Sequence, residues 1–282
     1  MRKKSFVASG AQNPVNDNKI VNHFHVPSKI ARRKDISRSR GDVICRLKVR
    51  APLRMIRAGD GPFSGPDWDS VLPTESLEKM LGPLKTCAVV MSSGSMRRSR
   101  LGVEIDSHDA VIRFNAAPTK GYSQDVGNKT TLRLVNSQWY KKPDYNFFQR
   151  YKDYRRLHPQ QPFYILSPSL QWDIWDIIQE NTPTDIQPNP PSSGMLGIAV
   201  MLHLCEQVSV YEFLPSHRRT SLCHYFQNVS DWLCTTGHYH PLTFEKRFVE
   251  RLNQGSRFDV RASGKVTLLG FSQFLCSSRF LP

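Results

Sequence analysis

The sequence predicts an α/β fold built on a mostly parallel sheet, and three observations carry that reading. Short apolar runs with the look of buried strands recur along the chain: TCAVVM (86–91), AVIRFN (110–115), TTLRLVN (130–136), PFYIL (162–166), VSVYEF (208–213) and KVTLLGF (265–271). Segments with helical spacing lie between them. Small polar turns, such as SSGS at 92–95, follow strands directly, which is how a strand hands over to a crossover helix.

Taken in order, residues 1–60 are polar and basic. They hold 15 Lys+Arg against 4 Asp+Glu, while the remaining 222 residues hold 24 and 20, so the chain's net +15 belongs mostly to this segment. It predicts a disordered arm. Residues 61–85, rich in Gly and Pro, predict a linker, and 86–282 a single folded domain. MRRSRLGVEI (96–105) predicts a short helix and LQWDIWDIIQE (170–180) a longer one. GMLGIAVMLHLC (194–205) is apolar nearly all round and predicts a buried helix. EKRFVERLNQG (245–255) predicts an amphipathic helix closed by Gly255.

No window reaches the ~18 consecutive apolar residues of a membrane span, and MRKKSFVASG does not run into the apolar core of a signal peptide. The six cysteines, Cys45, Cys87, Cys205, Cys223, Cys234 and Cys276, include no CxxC pair, which argues against zinc. An even, scattered set fits three disulfides in an oxidising compartment, with ~15 pairings open. The sequons at Asn128 and Asn228 point the same way.

Candidate chemistry gathers at the carboxyl ends of the expected strands, where open α/β sheets bind ligands. In QPNPPSSGMLG (187–197), Ser192, Ser193 and Gly194 stand at a helix start, whose free N–H groups and dipole suit a phosphate or carboxylate; the bland alternative is a simple N-cap. Ser92 opens the second small turn, and Asn115 and Asn136 end two strands, offering donor and acceptor to a base or ribose. His240, in GHYHPLTFEK, is a candidate base for a hydroxyl proton, with Glu245 placed to orient it. The only DxD string, Asp67-Trp-Asp69, reads as solvated loop, so metal-free chemistry is favoured.

These stretches together resemble a known family. Residues 87–138 resemble the large sialylmotif of animal sialyltransferases, 190–213 the small one, HYFQ (224–227) the third, and HPLTFE (240–245) the very small His-x4-Glu motif. WYKKPDYNFF, LHPQQPFYIL and YHPLTFEK further resemble the β-galactoside α-2,6 branch of that family. The resemblance implies a Rossmann-like, GT-A-variant catalytic domain. It implies inverting, metal-independent transfer from CMP-sialic acid to the 6-hydroxyl of terminal galactose on glycoprotein glycans, with no cofactor, in the Golgi. Carried over by motif, Asn115, Asn136 and Ser92 would bind the nucleotide. Ser192, Ser193 and Gly194 would hold the donor's phosphate and carboxylate, with His224 near the phosphate. His240 would be the base, and Gln138, Asp144, Tyr145 and Tyr239 would line the acceptor site. The implied disulfides are Cys45–Cys276, Cys87–Cys205 and Cys223–Cys234.

Two departures qualify the expectation. The family carries a membrane anchor that this chain does not show. NSQ (136–138) also runs straight into WYKKPDY, where family members insert a further strand. The alternative reading is therefore a catalytically impaired form that still binds CMP. A nucleic-acid-binding protein is a weaker one, since the body is nearly charge-balanced.

Overall fold

The computed structural model describes residues 38–136, 147–231, 234 and 239–277. Its centre is a five-stranded sheet in the order β3-β2-β1-β4-β5. The strands are β1 (Leu84–Val90), β2 (Ala110–Phe114), β3 (Leu132–Leu134), β4 (Cys205–Tyr211) and β5 (Lys265–Leu269). The first four run parallel, and β5 closes the sheet antiparallel to β4. β2 is buried along its whole length, as an interior strand covered on both faces must be.

Among the described residues, the sheet is surrounded by α1 (Arg40–Arg50), α2 (Pro66–Asp69), α3 (Leu77–Leu81), α4 (Gly102–Asp106), α5 (Ser123–Val126), α6 (Phe147–Leu157), α7 (Pro168–Glu180), α8 (Ser193–Leu204), α9 (Leu242–Leu252) and α10 (Arg257–Ser263). The expected all-apolar helix is α8. Every residue from Met195 to Leu202 is buried, and β4 starts at the next residue after its end, so no loop separates them. Gly197 makes that packing possible: a Cβ there would stand 2.5 Å from the Phe114 ring. α9 is amphipathic as expected and ends at Leu252, before Gly255.

Where an arm was expected through residue 60, residues 40–50 form a helix. Val43, Ile44 and Leu47 of α1 join the main core, and the Cys45–Cys276 disulfide ties it to the chain's last described residues. The basic composition misleads here because Arg38, Arg46 and Arg50 all converge on the buried carboxylate of Glu180. The expected linker likewise packs: Phe63, Val71 and Leu72 form a satellite core with Tyr151. Asp67 and Asp69 lie on α2 rather than in a loop, and Asp67 pairs with Lys152 and Arg156, each at 3.5 Å.

Two elements differ for local reasons. The helix expected over 96–105 is broken: Gly94–Met96 form a 3-10 turn and only Gly102–Asp106 are α-helical. Arg98 and Arg100 take positive φ of 65° and 57°, held by the Asp125 carboxylate, which accepts from both backbone N–H groups at 2.8 and 3.0 Å. PFYIL (162–166) is not a strand. It makes one bridge, Leu166 to Met55, and the Ile165 carbonyl accepts from Ile56 N at 2.8 Å, so its neighbour is the segment after α1 and not the sheet. β3 is consequently an edge strand among the described residues.

Candidate active site

The carboxyl ends of β1, β2 and β3 and the start of α8 lie on one side of the sheet, because α8 runs back against the strands before β4. A cleft of about 940 Å³ opens there, lined among others by Asn136, Pro190, Ser193, Tyr239 and His240. β3 and the 162–166 segment form its other walls.

Ser192 is the N-cap of α8, its Oγ accepting from Met195 N at 3.2 Å. The expected N-cap is thus present. The N–H groups of Ser193 and Gly194, in the first turn, donate to no described group, so the helix start keeps two free donors and its dipole. Gly194 is bare for a packing reason as well. A Cβ there would meet Met91 Sδ at 2.9 Å and the Phe213 ring at 3.1 Å, so its smallness seats α8 against the end of β1.

Glu245 does not orient His240; no hydrogen bond joins them. Its carboxylate is fully buried and turns to Ser192, accepting from the backbone N at 2.7 Å and from Oγ at 2.6 Å. Burial pushes its pKa up to about 7, against the pull of those two hydrogen bonds. His240 finds a different partner. Its Nδ1 lies 2.7 Å from the Pro190 carbonyl, which can only accept, so Nδ1 carries the proton and Nε2 keeps its lone pair. Burial lowers the imidazole pKa, and the Pro190 bond opposes that shift. Asn189 adds a third tie, donating from Nδ2 to the Tyr239 carbonyl at 2.9 Å. The 189–192 loop and the 239–245 segment are thus stitched at three points. The sequence showed no sign of the Pro190 carbonyl, since backbone acceptors have no residue signature; the rigid Pro190–Pro191 pair was the available hint.

Asn115, at φ 48°, accepts from Asn136 N at 3.0 Å through Oδ1, so the two predicted nucleotide residues form one unit across β2 and β3. Asn tolerates this backbone better than most residues. Ser92 contributes its carbonyl, which accepts from Tyr225 N at 3.2 Å. This brings the third motif against the SSGS turn, where Gly94 packs under Leu222 with room for no Cβ. His224 bonds Gln227 through Nδ1 at 2.7 Å and stacks on Phe226. Neither Ser92 nor His224 is among the residues lining the cleft. Gln138, Asp144 and Tyr145 lie outside the described residues. The disulfides join Cys45–Cys276, Cys87–Cys205 and Cys223–Cys234, the pairs the resemblance implies. Cys87–Cys205 fastens β1, which leads to SSGS, to the first residue of β4, directly after α8.

Glu245 carries a pH signature. Its folded pKa of about 7 stands above the ordinary carboxylate value, so the folded state binds the extra proton. Stability should therefore fall as pH rises from about 4.5 to about 7 and level off above, by roughly 1–3 kcal/mol for a shift of this size. Glu245→Gln, which mimics the protonated form, should flatten this window in urea titrations run from pH 5 to 8. An unchanged slope in the variant would assign the dependence to another group.

A cleft at the carboxyl edge of a parallel sheet, facing a helix start with free N–H groups and a neutral imidazole, has the form of an α/β ligand-binding site. The comparisons narrow the class: the chain belongs to glycosyltransferase family 29, the sialyltransferases, whose pattern matches residues 69–153 and 140–256. The two matched segments meet at 140–153, beside the expected seam. The chain is 51% identical over 265 residues to mouse beta-galactoside alpha-2,6-sialyltransferase 1, and 49% identical to the human protein of that name. These alignments cover 82% of this chain and 66% and 65% of the relatives. Beta-galactoside alpha-2,6-sialyltransferase 2 of Takifugu rubripes is 46% identical over 283 residues, covering 86% of this chain and 53% of that protein. The chain therefore spans between half and two thirds of the length of these relatives. A crystal structure of a mammalian sialyltransferase is 27% identical, covering 64% of this chain and 71% of that one, with a TM-score of 0.47.

Proposed function

We propose that the chain transfers a sialyl group from CMP-sialic acid to the 6-hydroxyl of a β-galactoside, as the names of its relatives suggest. The observation that carries the reading is the His240–Pro190 hydrogen bond, which leaves Nε2 as a neutral base in the same cleft as the α8 start. The acceptor oxygen attacks the anomeric carbon of the sialyl group, and its proton passes to Nε2. The bond from that carbon to the phosphate oxygen breaks, and CMP leaves with the electron pair. Attack opposite the leaving group inverts the centre. The leaving group is a nucleoside monophosphate, which the N–H groups of Ser193 and Gly194 can take at the helix start without a metal. The donor's carboxylate would share that site. Asn115 and Asn136 would receive the nucleotide, and Tyr239, with the undescribed Gln138, Asp144 and Tyr145, the acceptor. The family's luminal Golgi setting suits a chain held by three disulfides.

A second reading, binding of CMP without transfer, is favoured by one observation: the family pattern matches in two segments that overlap at residues 140–153, shortly after Asn136 in the sequence, and not as one continuous stretch. Under both readings the oxidised chain binds CMP. Millimolar CMP should raise its midpoint of thermal unfolding, because a ligand bound at 100 times its Kd adds about 2.7 kcal/mol to stability. A midpoint that ignores CMP would remove the nucleotide assignment of this cleft.

A further inference from the structure

A second cleft, of about 1090 Å³, shares no lining residue with the first. Its walls are α9, α10 and the loop that follows β4. Six arginines line it against one carboxylate, Glu250. Two of the six are committed to the fold. Arg40 donates to the Arg251 carbonyl and to Gln254, and Arg251 to Asn181 and the Arg38 carbonyl. The other four, Arg219, Arg247, Arg257 and Arg261, are exposed, and their side chains bond to no described residue. Arginines nearby behave otherwise: Arg218 pairs with Glu212 at 2.6 Å, and three converge on Glu180. Four guanidinium groups around one concavity, none of them bonded to a described carboxylate, repel one another, and a bound anion would relieve that.

We propose that this cleft binds an extended polypeptide segment carrying carboxylates at alternate residues. Three features favour that ligand. Arg257 and Arg261 stand one turn apart on α10, a rise of about 6 Å. An extended chain places same-face side chains about 6.8 Å apart, so successive carboxylates meet successive guanidinium groups. Leu214, Pro215 and Val260 add apolar surface to the cleft lining, which the peptide's stem carbons can cover. The cleft is concave, which a flat bilayer cannot follow. No Phe, Tyr or Trp lines it, so it lacks the stacking platform that single-stranded nucleic acid uses. The proposal does not depend on the transferase reading.

The test is fluorescence anisotropy with the full oxidised chain and a labelled peptide alternating Glu and Ala. The basic residues before α1 also attract anions, so Arg247→Glu/Arg257→Glu is measured beside the unmodified chain. Neither side chain bonds to a described residue, and an unchanged thermal midpoint checks the fold. The peptide should bind the unmodified chain, weaken roughly tenfold in moderate salt because exposed charges are screened, and lose about tenfold or more in the variant. Equal binding by the variant would place the peptide outside this cleft and overturn the proposal. So would an absence of binding, or displacement of the peptide from the cleft by heparin oligosaccharide, single-stranded DNA or anionic vesicles at lower concentration.

Discussion

Replacing His240 with alanine is expected to lower kcat/KM for sialyl transfer by about 10²–10⁴-fold, the usual contribution of a positioned base, while CMP still raises the thermal midpoint. The imidazole does two things in this fold. Nε2 is free to take a proton, and Nδ1–H holds the Pro190 carbonyl at 2.7 Å. His240→Asn separates them, because an Asn amide can reproduce the Nδ1 donor but has no basic nitrogen. Both variants should lose activity alike. An active Asn variant would make His240 a positioning residue. The pH profile is a second check with a fixed sign. Burial lowers the imidazole pKa, so the base stays neutral into mildly acidic solution. The acid limb of kcat/KM should therefore fall below pH 6.5 and vanish from any residual activity of the alanine variant.

The second large effect is on stability. Removing the Cys87–Cys205 disulfide by a double serine or alanine replacement should cost about 5 kcal/mol in the chain-entropy account, given its long loop. The cysteines stand 118 residues apart and are 0% and 2% exposed. Domains of this kind are typically stable by only about 5–15 kcal/mol, so much of the variant should be unfolded at body temperature. Removing Cys223–Cys234, which closes 11 residues, should cost nearer 3 kcal/mol. Urea midpoints compared at equal m-value give the ordering. Equal losses would mean that loop closure is not what these bridges supply.

The parts legible in the sequence share a physical character. α8 could be read because burial on all sides demands an apolar run, and β1, β2 and β4 because interior parallel strands do too. What escaped depends on contacts far along the chain. α1 looked like an arm because its Arg46 and Arg50 answer Glu180, more than a hundred residues away. The break after Met96 depends on Asp125, and PFYIL failed as a strand because it bridges to Met55. The site divides in the same way. His240, Ser192 and the two asparagines could be named from residue type and place. The partner of Glu245 could not, since spacing put it within reach of His240 and only the fold turned it to Ser192.

The most direct test of the account is to incubate the oxidised chain with CMP-sialic acid and N-acetyllactosamine and follow both products by mass spectrometry. The account predicts one CMP released for each sialylated galactoside formed, with the new linkage at the galactose 6-hydroxyl and no dependence on added divalent metal. Absence of sialylated product from a chain that binds CMP would contradict it.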